Sequence, residues 1–170
     1  MSKKVPQLAL DIIKEFEGFS PTPYLCQAGI RTIGYGTVLA KDIPDRMTPE
    51  TAEKYLRERC QKDFEAILKL LRYTLSEEQY SALVSFVYNV GLNNFAKSTL
   101  LKKINERKII EVPQQINRWR YVTDPVTKQK IVSMGLAYRR MAEALLFIHN
   151  DTKPLSEILK DAREYADKLK

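Results

Sequence analysis

Residues 12–37 of the 170-residue chain read IIKEFEGFSPTPYLCQAGIRTIGYGT, and their pattern is the most informative about the fold. Apolar side chains over residues 7–17 repeat at helical spacing, which predicts a helix ending at Gly18. The run 20–23 contains two prolines and breaks regular structure. Residues 24–39 combine β-forming side chains with three glycines, which favours short strands joined by tight turns. The stretch therefore predicts a small lobe made of one helix and a β-hairpin.

The last residue of that helix, Glu17, is a candidate catalytic acid. A carboxyl group at a helix end, facing a glycine-rich hairpin, can be partly desolvated, and desolvation raises a carboxyl pKa. Glycoside hydrolysis uses a protonated carboxyl to protonate the leaving oxygen, and it needs a second group for the attacking water or the cationic centre. As an isolated motif, however, Glu-Gly after a helix is more often an ordinary surface terminus. The residues alone leave both interpretations open.

The rest of the chain predicts helices. Thr48 followed by Pro49 is a helix start, and this helix can run to about residue 71. Ser76 and Gln79 form a capping box before a second helix, which carries a strongly apolar stripe and ends at Gly91. Further helical patterns lie at about 96–106, 111–119, 135–149 and 154–168.

Together these elements predict an α+β, mostly helical fold with two lobes in a single domain. The small lobe with the helix and β-hairpin covers about 1–47, and a long connecting helix covers about 48–72. An all-helical lobe covers about 73–150, and a C-terminal helical tail covers 151–170. A cleft between two lobes is the natural place for an extended ligand.

The charge distribution points to a polyanionic partner. The net charge is +7, and residues 97–140 alone carry eleven Lys or Arg against three acids. Such a segment suits nucleic acid, anionic lipid or an acidic wall polymer, although a solvated basic surface explains the charge equally well. No apolar run is long enough for a membrane span, and acids and lysine interrupt the region after the N-terminus where a signal peptide would be apolar. We therefore expect a chain that folds in the cytoplasm.

The two cysteines are too few for a disulfide framework. Cys60 falls inside a helical pattern and is expected to be a buried apolar residue, whereas Cys26 lies in a loop. Neither has partners at metal-ligand spacing, and the sequence indicates no metal and no cofactor.

The spacing of three residues within the segment 12–37 resembles the signature of a known family. The pattern resembles the signature of the phage lysozyme family (glycoside hydrolase family 24). Eight residues separate Glu17 from Cys26, five residues separate Cys26 from Thr32, and the run Thr-Ile-Gly-Tyr-Gly is in register. Further blocks follow in the family's order, and the similarity covers roughly residues 8–148. The blocks are residues 75–79 and 82–91, Phe95, residues 98–101, Trp119, Gly135-Leu136, Arg139, Arg140 and Glu143.

The resemblance implies a lysozyme-like fold and an endolysin that hydrolyses the β-1,4 bond between N-acetylmuramic acid and N-acetylglucosamine in peptidoglycan during host-cell lysis. The resemblance implies that Glu17 is the general acid and that the Thr32 hydroxyl binds the attacking water. Cys26 lies where most relatives have a carboxylate that assists this water. The implied mechanism is inverting. Substrate contacts are implied for a further set of residues, namely Val38, Tyr88, Asn89 and Ser98.

Some of these roles have plainer alternatives. Tyr88 shares an apolar stripe with Val84, so it can be a core residue. Cys26 can be a tolerated apolar side chain, because a free thiol is mostly neutral at pH 7 unless a cation such as Arg31 lowers its pKa. The sequence has Thr37 where many relatives have histidine, so a histidine is not available to orient the site there.

Two other functions compete with the hydrolase. A lytic transglycosylase would use the same substrate and a similar glutamate without water, and would leave a 1,6-anhydro sugar. A non-catalytic binder of anionic polymer would rest on the basic segment 97–140. If the enzyme interpretation holds, the partners are peptidoglycan and, for release, a holin. We then expect no nucleic acid, no stable membrane insertion and a monomer that waits in the host cytoplasm and acts on the periplasmic wall.

Overall fold

The computed structural model describes residues 3–26, 29–149 and 153–169. The small lobe begins with α1 (Gln7–Glu17), whose bounds agree with the predicted helix. Three short antiparallel strands follow in the order β1-β2-β3, namely β1 (Ser20–Leu25), β2 (Arg31–Gly34) and β3 (Thr37–Val38). The first strand begins at Ser20, earlier than predicted, and passes through both prolines. Its register with β2 is irregular between Ser20 and Tyr24, as expected of an edge strand in which proline cannot donate to the ladder.

The connecting helix α2 (Pro49–Leu70) and the helix after it, α3 (Glu77–Val90), begin as predicted. The Thr48 hydroxyl accepts from the Thr51 amide at 3.2 Å, which caps α2. Ser76 and Gln79 make both bonds of the capping box at the start of α3. Gly91 ends α3 with a φ of +88°.

The second lobe contains helices of different lengths and one hairpin. In chain order its elements are α4 (Leu92–Ala96), α5 (Thr99–Asn105), a 3₁₀ turn (Ile109–Glu111), α6 (Val112–Asn117), β4 (Tyr121–Thr123), β5 (Lys130–Val132), α7 (Met134–Ile148) and α8 (Leu155–Asp167). The two strands pair antiparallel. The sequence predicted an all-helical lobe and missed this hairpin, whose two strands have three residues each.

The core is centred on α3, which α1, α2 and α7 surround. Every residue of α3 from Tyr80 to Tyr88 is buried, so this part of the helix is enclosed on all sides, as expected of a central helix. Although α1 precedes the β-strands, its apolar face packs mainly on α3 and joins the larger core. A second, small cluster of Ile33, Met47 and Ala52 holds β2 against α2.

Cys60 is fully buried in the larger core, which confirms the expectation from its helical position. Among the described helices, none has the length and apolar character needed to cross a membrane.

Candidate active site

Glu17 lies at the C-terminal end of α1, where it faces the turn between β2 and β3. Gly18 follows with a φ of +65°, and this left-handed conformation turns the chain away after the carboxylate. The carboxylate is close to the backbone of Gly36, since a methyl group added there would lie 3.4 Å from Glu17 Oε2 and 3.3 Å from the Tyr88 hydroxyl. Glycine at position 36 therefore lets the hairpin approach the carboxylate.

The other oxygen of Glu17 is held by an arginine from the opposite end of the chain. Arg139 Nη1 donates to Glu17 Oε1 at 2.6 Å, and the two side chains are 5% and 22% exposed. The same guanidinium donates to the Ser85 carbonyl at 3.2 Å and to Glu143 Oε1 at 3.3 Å, and it lies 5.4 Å from the ring centroid of Phe16. Arg139 is thus fixed on every side and in turn fixes the carboxylate.

Behind Arg139 lies a buried ionic network. Arg140 and Glu143 are both fully buried, and the Arg140 Nη2 atom donates to Glu143 Oε1 at 2.9 Å. Ser85 donates its hydroxyl to the same oxygen at 2.7 Å, and Arg140 Nη1 donates to Asn89 Oδ1 at 3.0 Å. Burial lowers the pKa of Arg140, whereas the Glu143 charge opposes this shift. With Glu17 the network holds two arginines and two carboxylates, so its formal charges cancel.

Thr32 lies in the middle of the three-stranded sheet. It is only 5% exposed, and it pairs with Tyr24 of β1 and with Val38 of β3. Its hydroxyl donates to the Tyr24 carbonyl at 3.5 Å, which is the long limit for such a bond. The hydroxyl is therefore only weakly bound to the protein.

Cys26 follows β1 directly. Its amide donates to the Ile30 carbonyl at 3.0 Å, and its carbonyl accepts from the Gly29 amide at 2.8 Å. The side chain is a half-buried free thiol. Residues 27 and 28 lie outside the described part of the chain, and Arg31, suggested above as a partner for a thiolate, is exposed on β2.

Tyr88 joins the two lobes. Its hydroxyl donates to the carbonyl of Tyr35, in the turn of the β-hairpin, at 2.6 Å. The guanidinium of Arg59 lies 3.9 Å from the centroid of its ring and donates to its backbone carbonyl at 3.1 Å. Burial raises the pKa of Tyr88, so the phenol remains a donor. The residue is buried, in agreement with the core alternative, and it also contacts the site.

The other predicted substrate contacts lie in different settings. Val38 is exposed on β3, beside Thr32, and Asn89 is exposed on α3, where it accepts from the ionic network. Ser98 caps α5: its hydroxyl accepts from the Leu101 amide at 3.1 Å and donates to the Phe95 carbonyl at 2.7 Å. The predicted contact of Ser98 with substrate stays a prediction, and its capping bonds give it a structural role in any case.

The structure thus brings Glu17 and Tyr88 together at the hairpin turn. It places Thr32 and Val38 on the adjoining strands and Cys26 directly after β1. Sequence reasoning gave no role to Arg139, although that residue binds the acid. A signal was present, because positions 139, 140 and 143 place two cations and an acid at helical spacing within an otherwise apolar segment. No cluster of three or more possible metal ligands occurs in residues 3–26, 29–149 and 153–169.

Comparison with known proteins agrees with this architecture. The family model described as phage lysozyme matches residues 14–143. An endolysin of Acyrthosiphon pisum secondary endosymbiont phage 1 is 34% identical over 143 residues, which cover 84% of this chain and 97% of that relative. The structure of an endolysin from Escherichia coli O157:H7 phage FAHEc1 superimposes with a TM-score of 0.79 and 32% identity, covering 91% of this chain and 98% of that one. The muramidase domain of SpmX from Asticaccaulis excentricus gives a TM-score of 0.79 at 30% identity, covering 88% of this chain and all of that one.

The chain therefore belongs to the phage lysozyme family. Its mostly helical fold with small β-hairpins is the lysozyme-like fold expected from the sequence.

Proposed function

We propose that the protein hydrolyses the β-1,4 bond between N-acetylmuramic acid and N-acetylglucosamine by single displacement, with inversion at the anomeric carbon. The broader activity follows from the family: the chain is a peptidoglycan-lysing enzyme of the endolysin type. The observation that carries the finer proposal is the position of Glu17, held by Arg139 at the end of α1 against the backbone of Gly36.

The two oxygens of Glu17 have different surroundings. Oε1 is bound to Arg139, whereas Oε2 faces the hairpin turn. Only the second oxygen is free to carry a proton to the glycosidic oxygen. Arg139 holds the first oxygen at 2.6 Å, so the second oxygen keeps its direction toward the hairpin turn.

A water molecule on the far side of the sugar completes the proposed reaction. The weakly bound hydroxyl of Thr32, at 3.5 Å from its carbonyl partner, can bind that water. Cys26 directly follows β1, the strand whose Tyr24 pairs with Thr32, and in this proposal it assists the water. The bond from the anomeric carbon to the leaving oxygen breaks as the water oxygen attacks. Glu17 gives its proton to the leaving oxygen, and the attacking water releases a proton to the solvent, from which Glu17 is protonated again.

The test is Glu17→Gln, with Glu15→Gln as the matched control on an exposed position of the same helix. Loss of the only proton donor should reduce wall clearing by at least about 10²–10⁴, while Glu15→Gln clears like the wild type. Thermal unfolding checks that both variants are folded. A folded Glu17→Gln protein that clears walls at the native rate would overturn the proposal.

Product analysis tests the stereochemistry. Proton NMR of the first product should show the inverted anomer. Retained configuration would point to a covalent intermediate, and 1,6-anhydro ends would point to a lytic transglycosylase.

The enzyme must also reach the cell wall. Action on the cell wall follows from the family, and the endolysin relatives support a role in host-cell lysis. We expect the monomeric enzyme to wait in the host cytoplasm and to reach peptidoglycan through a membrane opened by a holin. Expression in bacteria with and without a holin tests this step, because lysis without a holin would contradict it.

A further inference from the structure

The C-terminal helix α8 lies beyond residues 14–143, which match the family, yet it packs along α7 in the helical lobe. Three residues of its inner face are buried, namely Ile158, Ala162 and Ala166. Two half-buried leucines of the same helix pack against the larger core. The helix is therefore docked through an apolar face, and residues beside that face can contact side chains of α7.

Arg163 of α8 lies against an aromatic ring of α7. Its guanidinium carbon is 4.3 Å from the centroid of the Tyr138 ring, a distance at which a cation is attracted to an aromatic face. The Tyr138 ring also contacts Phe16 near the end of α1, with ring centroids 5.0 Å apart and planes at 68°, which is an edge-to-face arrangement that aromatic pairs favour. One half-buried ring thus connects three helices from distant parts of the chain.

Each of these two aromatic residues is followed directly by a member of the ion pair in the active site. Phe16 precedes Glu17 on α1, and Tyr138 precedes Arg139 on α7. Arg139 Nη1 binds Glu17 Oε1 at 2.6 Å, and the guanidinium of Arg139 lies 5.4 Å from the centroid of the Phe16 ring. The ring pair and the ion pair therefore cross from α1 to α7 side by side, and a shift of either ring would move the atoms of the ion pair.

We propose that Arg163 is a positioning residue for the proton donor. It holds the Tyr138 ring against Phe16 and so keeps the end of α1 where Arg139 binds Glu17. The inference rests on the proposed function, because it takes Glu17 to be the acid. A small displacement of a reacting group lowers a rate, but a cation over an aromatic ring near the surface is a weak contact. The expected effect is therefore a modest fall in kcat and not a loss of activity.

The test measures kcat and KM with a soluble glycan fragment of peptidoglycan. Arg163→Ala should lower kcat about two- to fivefold and leave KM near the native value, because the position of the acid matters mainly in the transition state. Lys160→Ala is the matched control: it removes the same charge from an exposed position of α8 and should keep the native kcat. Arg163→Lys retains a cation that can lie over the ring, so it should recover part of the loss.

A double-mutant cycle tests whether the effect passes through Tyr138. Tyr138→Leu removes the ring and should lower kcat at least as much as Arg163→Ala, whereas Tyr138→Phe keeps the ring and should keep kcat. In the Tyr138→Leu background, Arg163→Ala should change kcat no further. If the two losses multiply instead, Arg163 acts by another route and the inference is wrong.

A variant that only weakens the docking of α8 separates positioning from stability. Ile158→Val leaves Arg163 and Tyr138 in place, so it should lower the urea midpoint but not kcat. Hydrogen exchange of the Gly18 amide, which donates to the Lys14 carbonyl at 3.1 Å, reports on the end of α1. That exchange should become faster in Arg163→Ala and stay native in Ile158→Val. A native kcat in Arg163→Ala, or an equal fall of kcat in both variants, would overturn the inference.

Glu17→Gln separates this inference from the proposed function. If the folded Glu17→Gln protein is inactive and Arg163→Ala has the native kcat, only the role of Arg163 fails. If the folded Glu17→Gln protein cleaves at the native rate, Glu17 is not the proton donor, and the proposed function and the role of Arg163 fail together.

Discussion

The roles proposed for Cys26 and Glu17 place opposite demands on pH. A free thiol ionises near about pH 8.5, and only the thiolate can act as a base or stabilise positive charge well. Glu17 must be protonated to act as the acid, and a rising pH removes its proton. If both groups take part, the active population is small and the pH profile is narrow and bell-shaped.

Substitution at position 26 distinguishes a chemical role from a passive one. An aspartate is ionised from about pH 4 upward, so Cys26→Asp should extend wall clearing toward lower pH. Cys26→Ser cannot ionise in this range and should cost far more activity than Cys26→Asp. Clearing rates across pH measure both effects. If Cys26→Ser and Cys26→Ala keep the native rate and optimum, sulfur has no chemical role, and Glu17 with the water on Thr32 must suffice.

Cys60 shows the opposite case of a thiol kept neutral. Burial raises its pKa to about 12, and the charge of Asp63 adds to the shift. In the unfolded chain the thiol loses its proton near its ordinary value of 9.0, so above that pH the unfolded state binds fewer protons than the native state. Stability must therefore fall as pH rises, by up to about 1.4 kcal/mol per pH unit from this group.

Cys60→Ala should remove that part of the alkaline slope, although it lowers stability overall by leaving a small cavity. Urea unfolding between about pH 9 and about pH 11 measures the slope, and Cys26→Ser controls for removal of a thiol as such. Identical slopes for Cys60→Ala and the wild type would show that the buried thiol does not contribute.

Among the secondary-structure elements, the helix starts that depend on short local motifs were predicted correctly. The Thr48 cap and the capping box of Ser76 and Gln79 are confirmed, because each motif satisfies backbone amides within four residues. The hairpin β4–β5 was missed, since both strands are only three residues long and exposed throughout. Its turn did carry a signal: Asp124 precedes a proline and accepts from the Val126 and Thr127 amides at 2.9 and 2.6 Å.

Alanine substitutions at the glycines of the active-site hairpin should differ in whether they lower stability or activity. All have positive φ, so alanine strains the backbone at each. At Gly34 the new methyl group would also lie 2.9 Å from the Ala52 Cβ atom, which should bring the loss of stability to about 3 kcal/mol. At Gly36 it would press on Glu17 and Tyr88, so activity should fall about tenfold or more.

Gly29 provides the control, because no atom of the described residues lies within 4 Å of a methyl group added there. Gly29→Ala should show backbone strain alone, about 1–2 kcal/mol. Chemical denaturation and wall clearing of the three variants test the contrast. If Gly34→Ala and Gly29→Ala lose equal stability, contact between β2 and α2 is looser than the structure indicates.

At the scale of the whole molecule, the basic segment is less basic at the surface than its composition suggests. Arg139 and Arg140 are buried in the ionic network, so only nine of its eleven cations can face a partner. Counting charges along a sequence cannot separate surface from core. The same limit explains why the Glu17–Arg139 pair was not predicted, since its members are 122 positions apart and no local pattern joins them.

The hairpin that carries the site is tied to the helical lobe by Tyr88. Its hydroxyl gives the Tyr35 carbonyl a hydrogen bond of 2.6 Å, and Arg59 holds its ring from the other side. Tyr88→Phe keeps the packing but leaves that carbonyl without its partner, which should cost about 1–2 kcal/mol. Because the bond crosses between lobes, its loss should also loosen the hairpin against Glu17.

Tyr80→Phe is the matched control, since the Tyr80 hydroxyl accepts from the Leu75 amide at 3.1 Å within the helical lobe. Both variants should lose similar stability in urea. Only Tyr88→Phe should speed hydrogen exchange over residues 31–38 and lower the rate of wall clearing, because of the two hydroxyl bonds only that of Tyr88 reaches the hairpin. If exchange at the hairpin is unchanged in Tyr88→Phe, the small cluster of Ile33, Met47 and Ala52 is enough to hold the hairpin, and the position of the acid does not depend on the tyrosine.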